Sequence, residues 1–575
     1  MIPTDSSSRT DAPGVDAPAA DDPFSDEVAA VSSARLADRP DNRPRTDMVE
    51  APRTNLIRSS LIVSSLTMVS RLMGFARDLA VAYTMGASSG YAADAYSTAL
   101  AFPNLFRRIF AEGAFSAAFV PAYSKSRAQD GDAVADILAA DAMAVLAAAT
   151  IVITLIAELT MPWLMYLISP GFAVHPAKFK LAVLATQIAM PYLPCMAIYA
   201  HLSGVLNARG RFIFSALAPT LLNIGMLIAI LPQHNANSAC IAASCGALGS
   251  GVAQSALLWW GVKRSGAHVG FRLPRLTPEI KSLIGKAIPG AFAASATQLN
   301  IFITGSLASA VVGGRSWLMT ADRLYQLPLG MVGVAMGVAL LPRLSHAVQT
   351  KDHVGSQAAM DEAVGFSLAL TLPATAALVA MPFFLIDGLY TRGGFHVVDA
   401  QATARALFHY GWGVPAFVVQ QLFSRAFFAR GDTRTPMRFA LLSVAVNIGL
   451  GVTLFHVMGV EGIAAATATA AWLNVIMMGR RLMQLGAYNP GPAALLRIGK
   501  IVAASVVMTV VLALASHYRA NIQNVVGHKE VAVGLTVIWG AAMYIGLLLA
   551  LAAVTPAEIK GAMKRTPKVK AGGQG

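Results

Sequence analysis

SSLTMVSRLMGFARDLAVAYTMGASSGYAADAYSTALAFPNLFRRIFAEGAFSAAFVPAYS, residues 64–124, is apolar enough to lie in a membrane, yet it carries Arg71, Arg77, Asp78, Asp94, Arg107, Arg108 and Glu112. An ionised side chain inside hydrocarbon costs on the order of 2.5–3.5 kcal/mol by insertion scales. A helix end explains one such residue. Several in the first two apolar segments point to a water-filled cavity walled by these helices, with the arginines as its working surface.

The rest of the chain agrees with a membrane setting. Apolar residues make up 55% of the 575 residues and charged residues 13%, against roughly 25% charged in soluble domains. The apolar residues come in runs of about 20, the length a bilayer-spanning helix needs. The expected fold is an all-α polytopic membrane protein. The net charge of +14 would suggest nucleic acid in a soluble protein. Here Lys and Arg gather in loops on one side, as the positive-inside rule requires, and nucleic acid is excluded as a partner. Cys195, Cys240 and Cys245 form no CxxC pair, and no HExxH occurs. No metal site, disulfide framework or cofactor is expected. The chain also lacks a GxxxxGK[ST] loop, so ATP hydrolysis through a P-loop of its own is excluded.

Residues 1–55 are polar, lack apolar periodicity and read as a disordered tail without a cleavable signal; the first span is expected to act as an uncleaved anchor. Fourteen apolar segments follow, at 58–83, 91–112, 134–159, 179–207, 213–232, 238–262, 282–311, 317–342, 362–390, 401–428, 435–456, 460–482, 494–516 and 531–553. Alternate loops are basic, which places both termini in the cytoplasm. Three loops on the other side break the pattern with Lys178 and Lys180, Arg315, and Arg392. A polybasic tail at 556–575 suits an anionic inner leaflet.

The segments are duplicated. Val120–Ser124 matches Leu341–Ser345, and Ala208–Gly210 matches Ala429–Gly431, both at an offset of 221 positions. Asn223-Ile224-Gly225 recurs as Asn447-Ile448-Gly449, and Ala93-Asp94 as Ala321-Asp322. The offset spans six helices, so both copies share one orientation, as in transporters built from parallel repeats. The expected layout is an N-lobe at 58–262, a basic linker at 263–281, a C-lobe at 282–484 and a final helix pair at 494–553 outside the duplication. That pair carries almost no charge in its middle. It is either packing or a flank for a lipid tail.

Arg71 and Asp78 are seven apart and share one helix face, whereas Arg77 points elsewhere, though a wide cavity still sees both. Gly74 between them permits close approach or a local break. The set is either an ion pair locking helices together or a fixed anion site, for which the planar guanidinium fork is apt. Asp94, near the start of the second segment, is either a helix N-terminal charge or a gate carboxylate that pairs with an Arg. Asn104, Arg107 and Arg108 lie at that segment's other end, where the arginines either snorkel to headgroups or face the cavity. Arg323 and Asp322 face the same cleft by pseudo-symmetry. No nucleophile–base pair or convergent carboxylate set suggests catalysis. The residues alone describe a two-lobed transporter whose cationic cavity takes an anionic cargo.

The runs SRLMGFARD, PNLFRRIFAEGAFSAAFVP and ADRLYQLPLG resemble the MurJ (MviN) family of the MOP exporter superfamily, and the similarity extends over about 58–553. The resemblance implies a flippase that carries lipid II, the undecaprenyl-pyrophosphate-linked peptidoglycan precursor, from the inner to the outer leaflet of the bacterial plasma membrane. It also implies two pseudo-symmetric six-helix lobes and a final pair forming a groove for the polyprenyl tail. By motif match it implies that Arg71, Arg77, Arg107 and Arg323 receive the pyrophosphate and that Asp94 belongs to an outer gate. Asp78, Asn104, Glu112 and Ser316 match further positions of interest. Gln326 stands where some members place a carboxylate, so an ion-pair role there is absent. Coupling to membrane potential or to a monovalent cation such as sodium is implied without its ligands. Phospholipids and wall-synthesis enzymes are the other partners to expect. The alternatives are an exporter of another polyprenyl-linked glycan or of a small molecule, a membrane enzyme acting on the same lipid, and a scaffold for wall-synthesis enzymes.

Overall fold

A computed structural model of the chain describes residues 53–106, 115–350 and 352–554. Residues 1–58 separate as a unit of their own, of which only the opening of a helix is described; the helical bundle begins at Ser59. Arg107, Arg108, Glu112, the tail before residue 53 and the tail at 556–575 lie outside the described residues.

Among the described residues the chain is helical, with no strand. The first half runs through α1 (Arg53–Met85), α2 (Ala92–Phe106), α3 (Phe115–Gln129), α4 (Asp132–Ile168), α5 (Pro176–Ala189), α6 (Tyr192–Ala208), α7 (Phe212–Ile230) and α8 (Ala236–Arg264). The second half comprises α9 (Pro278–Ala308), α10 (Gly314–Gln349), α11 (His353–Ala380), α12 (Pro382–Tyr390), α13 (Val397–Ala429), α14 (Arg434–Met458) and α15 (Val460–Gln484). α16 (Pro492–His517), the short α17 (Arg519–Val526) and α18 (Lys529–Ala550) complete the bundle.

The described residues of the apolar segments fall mainly on helix, 107–112 of the second segment lying outside them, and nine helices among the described residues are long and apolar enough to cross a membrane, counting α5–α6 as one. Two expected single spans are divided instead. Met190 and Pro191 separate α5 from α6, and Met381 separates α11 from α12, which opens on Pro382. A proline lacks the N–H that would continue the helix and its ring crowds the preceding turn. Gly74, in contrast, breaks nothing. α1 runs through it, and Gly74 rests against the Asn223 side chain of α7.

The duplication is visible in the contacts. Gly210 and Gly431 both take positive φ, 74° and 76°, just past the ends of α6 and α13, a conformation that glycine adopts without a Cβ penalty. Asn223 on α7 donates to the Ser70 carbonyl of α1 at 3.0 Å. Its counterpart Asn447 on α14 donates to Asn300 on α9 at 2.8 Å. In each half, the same asparagine thus ties down the half's first helix. Small residues dominate the buried positions and let backbones approach closely. The terminal pair joins the second half: α16 packs on α11 and α18 on α12, and Tyr544 Oη donates to the Ala369 carbonyl at 3.0 Å. Large apolar side chains point outward, Leu159 being 78% and Trp163 71% exposed. Water would make such a surface an aggregation hazard, whereas hydrocarbon is its natural solvent.

Candidate functional site

Arg77 and Asp78 are neighbours on α1, about 100° apart around the helix. The Arg77 side chain is long enough to fold back, and its Nε and Nη2 donate to Asp78 Oδ1 at 3.1 and 2.8 Å. Its Nη1 donates to Asn223 Oδ1 at 3.0 Å. Arg77 is buried, 8% exposed, with hydrogen bonds on all three of its nitrogens. This satisfaction is what makes a buried guanidinium tolerable, because the unpaired cation would cost several kcal/mol, on the order of 3–5. The other carboxylate oxygen, Asp78 Oδ2, pairs with Arg323 Nε of α10 at 3.1 Å. One carboxylate is therefore shared between two guanidiniums, one from each half.

This trio opens into a cavity of about 220 Å³ between the halves, whose polar lining includes Arg77, Asp78, Asn104, Gln298, Arg315 and Arg323. Among the described residues, three arginines against one aspartate leave the lining net positive. A phosphate-type anion placed there competes with Asp78 for both forks, which offer planar bidentate donors.

Arg71 stands apart from the trio. Its guanidinium lies against Gly330 of α10, where a β-carbon would take its place. It makes no ion pair or hydrogen bond with another described residue. Asp78 meets Arg323, and Arg71, seven residues earlier, meets Gly330, seven residues later, so α1 and α10 run antiparallel here. Gly330→Ala is expected to leave folding unchanged, since only the tip of a flexible side chain must move. It should lower transport several-fold, about the effect of misplacing one charged donor; parental transport rates in Gly330→Ala would remove Arg71 from the site.

A second buried cluster lies nearer the α1–α2 loop. Asp94 on α2 is fully buried and pairs with the equally buried Lys178 of α5. Its carboxylate also accepts the backbone N–H groups of Gly313, at 2.8 Å, and Ser316, at 3.2 Å. Those groups belong to the first turn of α10, so Asp94 caps a helix of the other half, where unsatisfied N–H groups and the helix dipole favour an anion. The sequence suggests an Arg partner or the N-terminus of α2 itself; the partners are Lys178 and the N-terminus of α10. Arg315 completes the closure. It donates to Thr98 Oγ1 at 3.0 Å and to the carbonyls of Ile168 and Gly305, each at 2.8 Å.

Of the residues singled out from sequence, Arg77, Asp78, Asn104 and Arg323 meet at the cavity. Ser316 enters through its backbone and Asp94 sits in the neighbouring closure. Asp322 does not join Asp78; its carboxylate accepts Gln326 Nε2 one turn on along α10. Arg107 and Glu112 lie outside the described residues. Sequence reasoning missed the roles of Asn223, Lys178 and Arg315. Each had left a trace: Asn223 in the repeat, Lys178 and Arg315 as exceptions to loop charge. The third exception, Arg392, pairs with Glu530 at 2.8 Å. Among the described residues, no group of three or more His, Cys, Asp or Glu side chains could hold a metal ion.

Residues 81–532 match the family model described as Lipid II flippase MurJ. The chain is 40% identical over 472 residues to a probable lipid II flippase MurJ of Rhizobium meliloti (strain 1021), covering 81% of this chain and 88% of that one. It is 31% identical over 460 residues to the lipid II flippase MurJ of Burkholderia cenocepacia, covering 79% and 89%. A solved structure of a lipid II flippase MurJ in an inward closed conformation superposes with a TM-score of 0.71 at 22% identity, covering 85% of this chain and 98% of that one. An inward-facing multidrug resistance MATE transporter of the MOP superfamily superposes with a TM-score of 0.61 at 15% identity, covering 74% and 98%. The last two likenesses establish the fold alone.

Proposed function

Since this chain belongs to the MurJ family of lipid II flippases, we propose that its arginine cavity receives the diphosphate of lipid II and carries it across the inner membrane by alternating access. The protein is a multi-pass membrane transporter and not an enzyme. The observation that carries the reading is the carboxylate of Asp78 held between Arg77 and Arg323 of opposite halves. A diphosphate presents more negative charge and more acceptor oxygens than one carboxylate, so it displaces Asp78 and draws both guanidiniums onto itself. Binding energy from both halves then biases the equilibrium between the two openings.

The basic loops, among them those at Arg209 and Arg430, lie in the cytoplasm together with both termini. The α1–α2 loop and the Asp94 closure then lie on the outer face. All fourteen apolar segments cross the bilayer, 58–262 and 282–484 being the two lobes. The terminal pair α16 and α18, with its exposed apolar flank, accompanies the polyprenyl tail, while phospholipids cover the remaining apolar surface. Arg71 supplies further positive charge at the cytoplasmic approach, and Arg107 and Glu112, which lie outside the described residues, follow in the sequence of the same lobe.

The test is the leaflet distribution of lipid II in cells depleted of the protein and then supplied with the parent chain or with Arg323→Ala. Depletion should trap lipid II in the inner leaflet, and the parent should restore its exposure. Arg323→Ala should restore about a tenth or less, the loss expected for one charged hydrogen-bonding group. Lipid II that reaches the outer leaflet without the protein would refute the flippase reading. Full restoration by Arg323→Ala would refute only the site.

A further inference from the structure

The outer end holds a second buried carboxylate that no part of the cavity uses. Asp399, in the first turn of α13, is completely buried. Its Oδ1 accepts the backbone N–H of Ser88 at 2.9 Å, the Ser88 hydroxyl, and the indole Nε1–H of Trp317 at 3.0 Å. Its Oδ2 accepts the N–H of His396 at 3.0 Å. Ser88 belongs to the α1–α2 loop of the first half, while the other donors belong to the second. Around this carboxylate the two loops lie backbone to backbone. Gly394 N–H donates to the Tyr83 carbonyl at 2.8 Å, and Ser89 Oγ donates to the Gly394 carbonyl at 2.9 Å. Gly86 and Gly393 take φ values of 67° and 55°, and a β-carbon on either would collide with the facing carbonyl.

We infer that Asp399 is a positioning residue of the transport cycle, a second clasp that holds the α1–α2 loop against the α12–α13 loop while the outer side is shut. It is the reciprocal of Asp94. Asp94 reaches from the first half to a helix start in the second, and Asp399 reaches from the second half to a loop in the first. The clasp has a firm base. Asp387, on the helix that precedes its loop, pairs with Lys529 at 3.0 Å, and Gln523 donates to the same carboxylate at 3.3 Å. Arg392 within the loop pairs with Glu530 at 2.8 Å. The loop is thereby pinned to the terminal helix pair and pulls on Ser88 from a fixed point. An ionised carboxylate suits this task because all four of its partners are donors. An amide at the same place turns one N–H toward another and weakens the remaining bonds.

The inference rests on the alternating-access reading, but its test reads accessibility rather than export, so the two fail separately. The protein would carry Ala101→Cys, a cavity-lining position, in a chain whose three natural cysteines are replaced by serine. A membrane-impermeant maleimide would be applied to each face of native membranes in turn. Asp399→Asn should speed labelling from the outer face about tenfold, the ratio typical of a lost charge-assisted hydrogen bond, with no acceleration from the cytoplasmic face. Ser88→Ala should act in the same direction but less. Combining the two should give less than the sum of the separate effects. Unchanged outer labelling, equal acceleration from both faces as in a merely loosened fold, or fully additive effects would each overturn the clasp.

Discussion

Arg77→Ala is expected to cut lipid II export by about 100-fold while the chain still inserts and folds, since truncating one partner of a buried charged pair costs about 2–5 kcal/mol. Folding survives because Asp78 keeps Arg323, and Asn223 keeps its bond to the Ser70 carbonyl. The anion site does not survive, because Arg77 presents its fork from a fixed direction set by three simultaneous hydrogen bonds. Arg77→Lys keeps the charge but cannot serve Asp78 and Asn223 with the same geometry, and should recover only part of the rate. Export of lipid II measured in reconstituted vesicles decides the matter. A parental rate in Arg77→Ala would move the diphosphate elsewhere.

The other large effect concerns the closure. Asp94→Asn leaves Lys178 buried without a counter-charge, and breaking such a pair typically costs about 3–5 kcal/mol. It also weakens the capping of α10 at Gly313 and Ser316. Both losses fall on the outward-closed arrangement, so its population relative to the open one should fall by about two orders of magnitude. The variant should melt at a lower temperature in detergent and export poorly. Removing the second charge as well, in Asp94→Asn/Lys178→Met, should restore much of the melting temperature, because a neutral pair carries no unpaired ion. Export should stay low, since the cap is still weakened. A single variant that melts and exports like the parent would show that Asp94 does not hold the two halves together.

Much of this was legible in the chain. Arg77 and Arg323 stand out because an ionised group inside an apolar run needs a reason. Helical periodicity set Arg77 on a different face from Asp78, yet the two pair, because a wheel places Cβ atoms while a guanidinium ends several bonds further out. The roles of Lys178 and Arg315 were hidden for a different reason, although their charge marked them. They sit at segment ends, where snorkelling is the ordinary explanation of a cation, and only tertiary packing turns them inward. Asp322 looked equivalent to Asp94 through the repeat, yet its carboxylate accepts Gln326 of its own helix, where that of Asp94 meets the N-terminus of α10. Duplicated sequence preserves the place of a residue on its helix better than it preserves the partner across the gap.

An exporter that alternates between two openings must also travel back with nothing aboard. A cavity whose lining carries only guanidiniums would resist that journey, since closing it would strand like charges in a poorly screened space. Asp78 removes the obstacle. Positioned between Arg77 and Arg323, it would act in the proposed cycle as a resident dummy cargo, occupying the forks until a stronger anion evicts it and returning once that anion leaves. The homeward stroke therefore has its own built-in passenger.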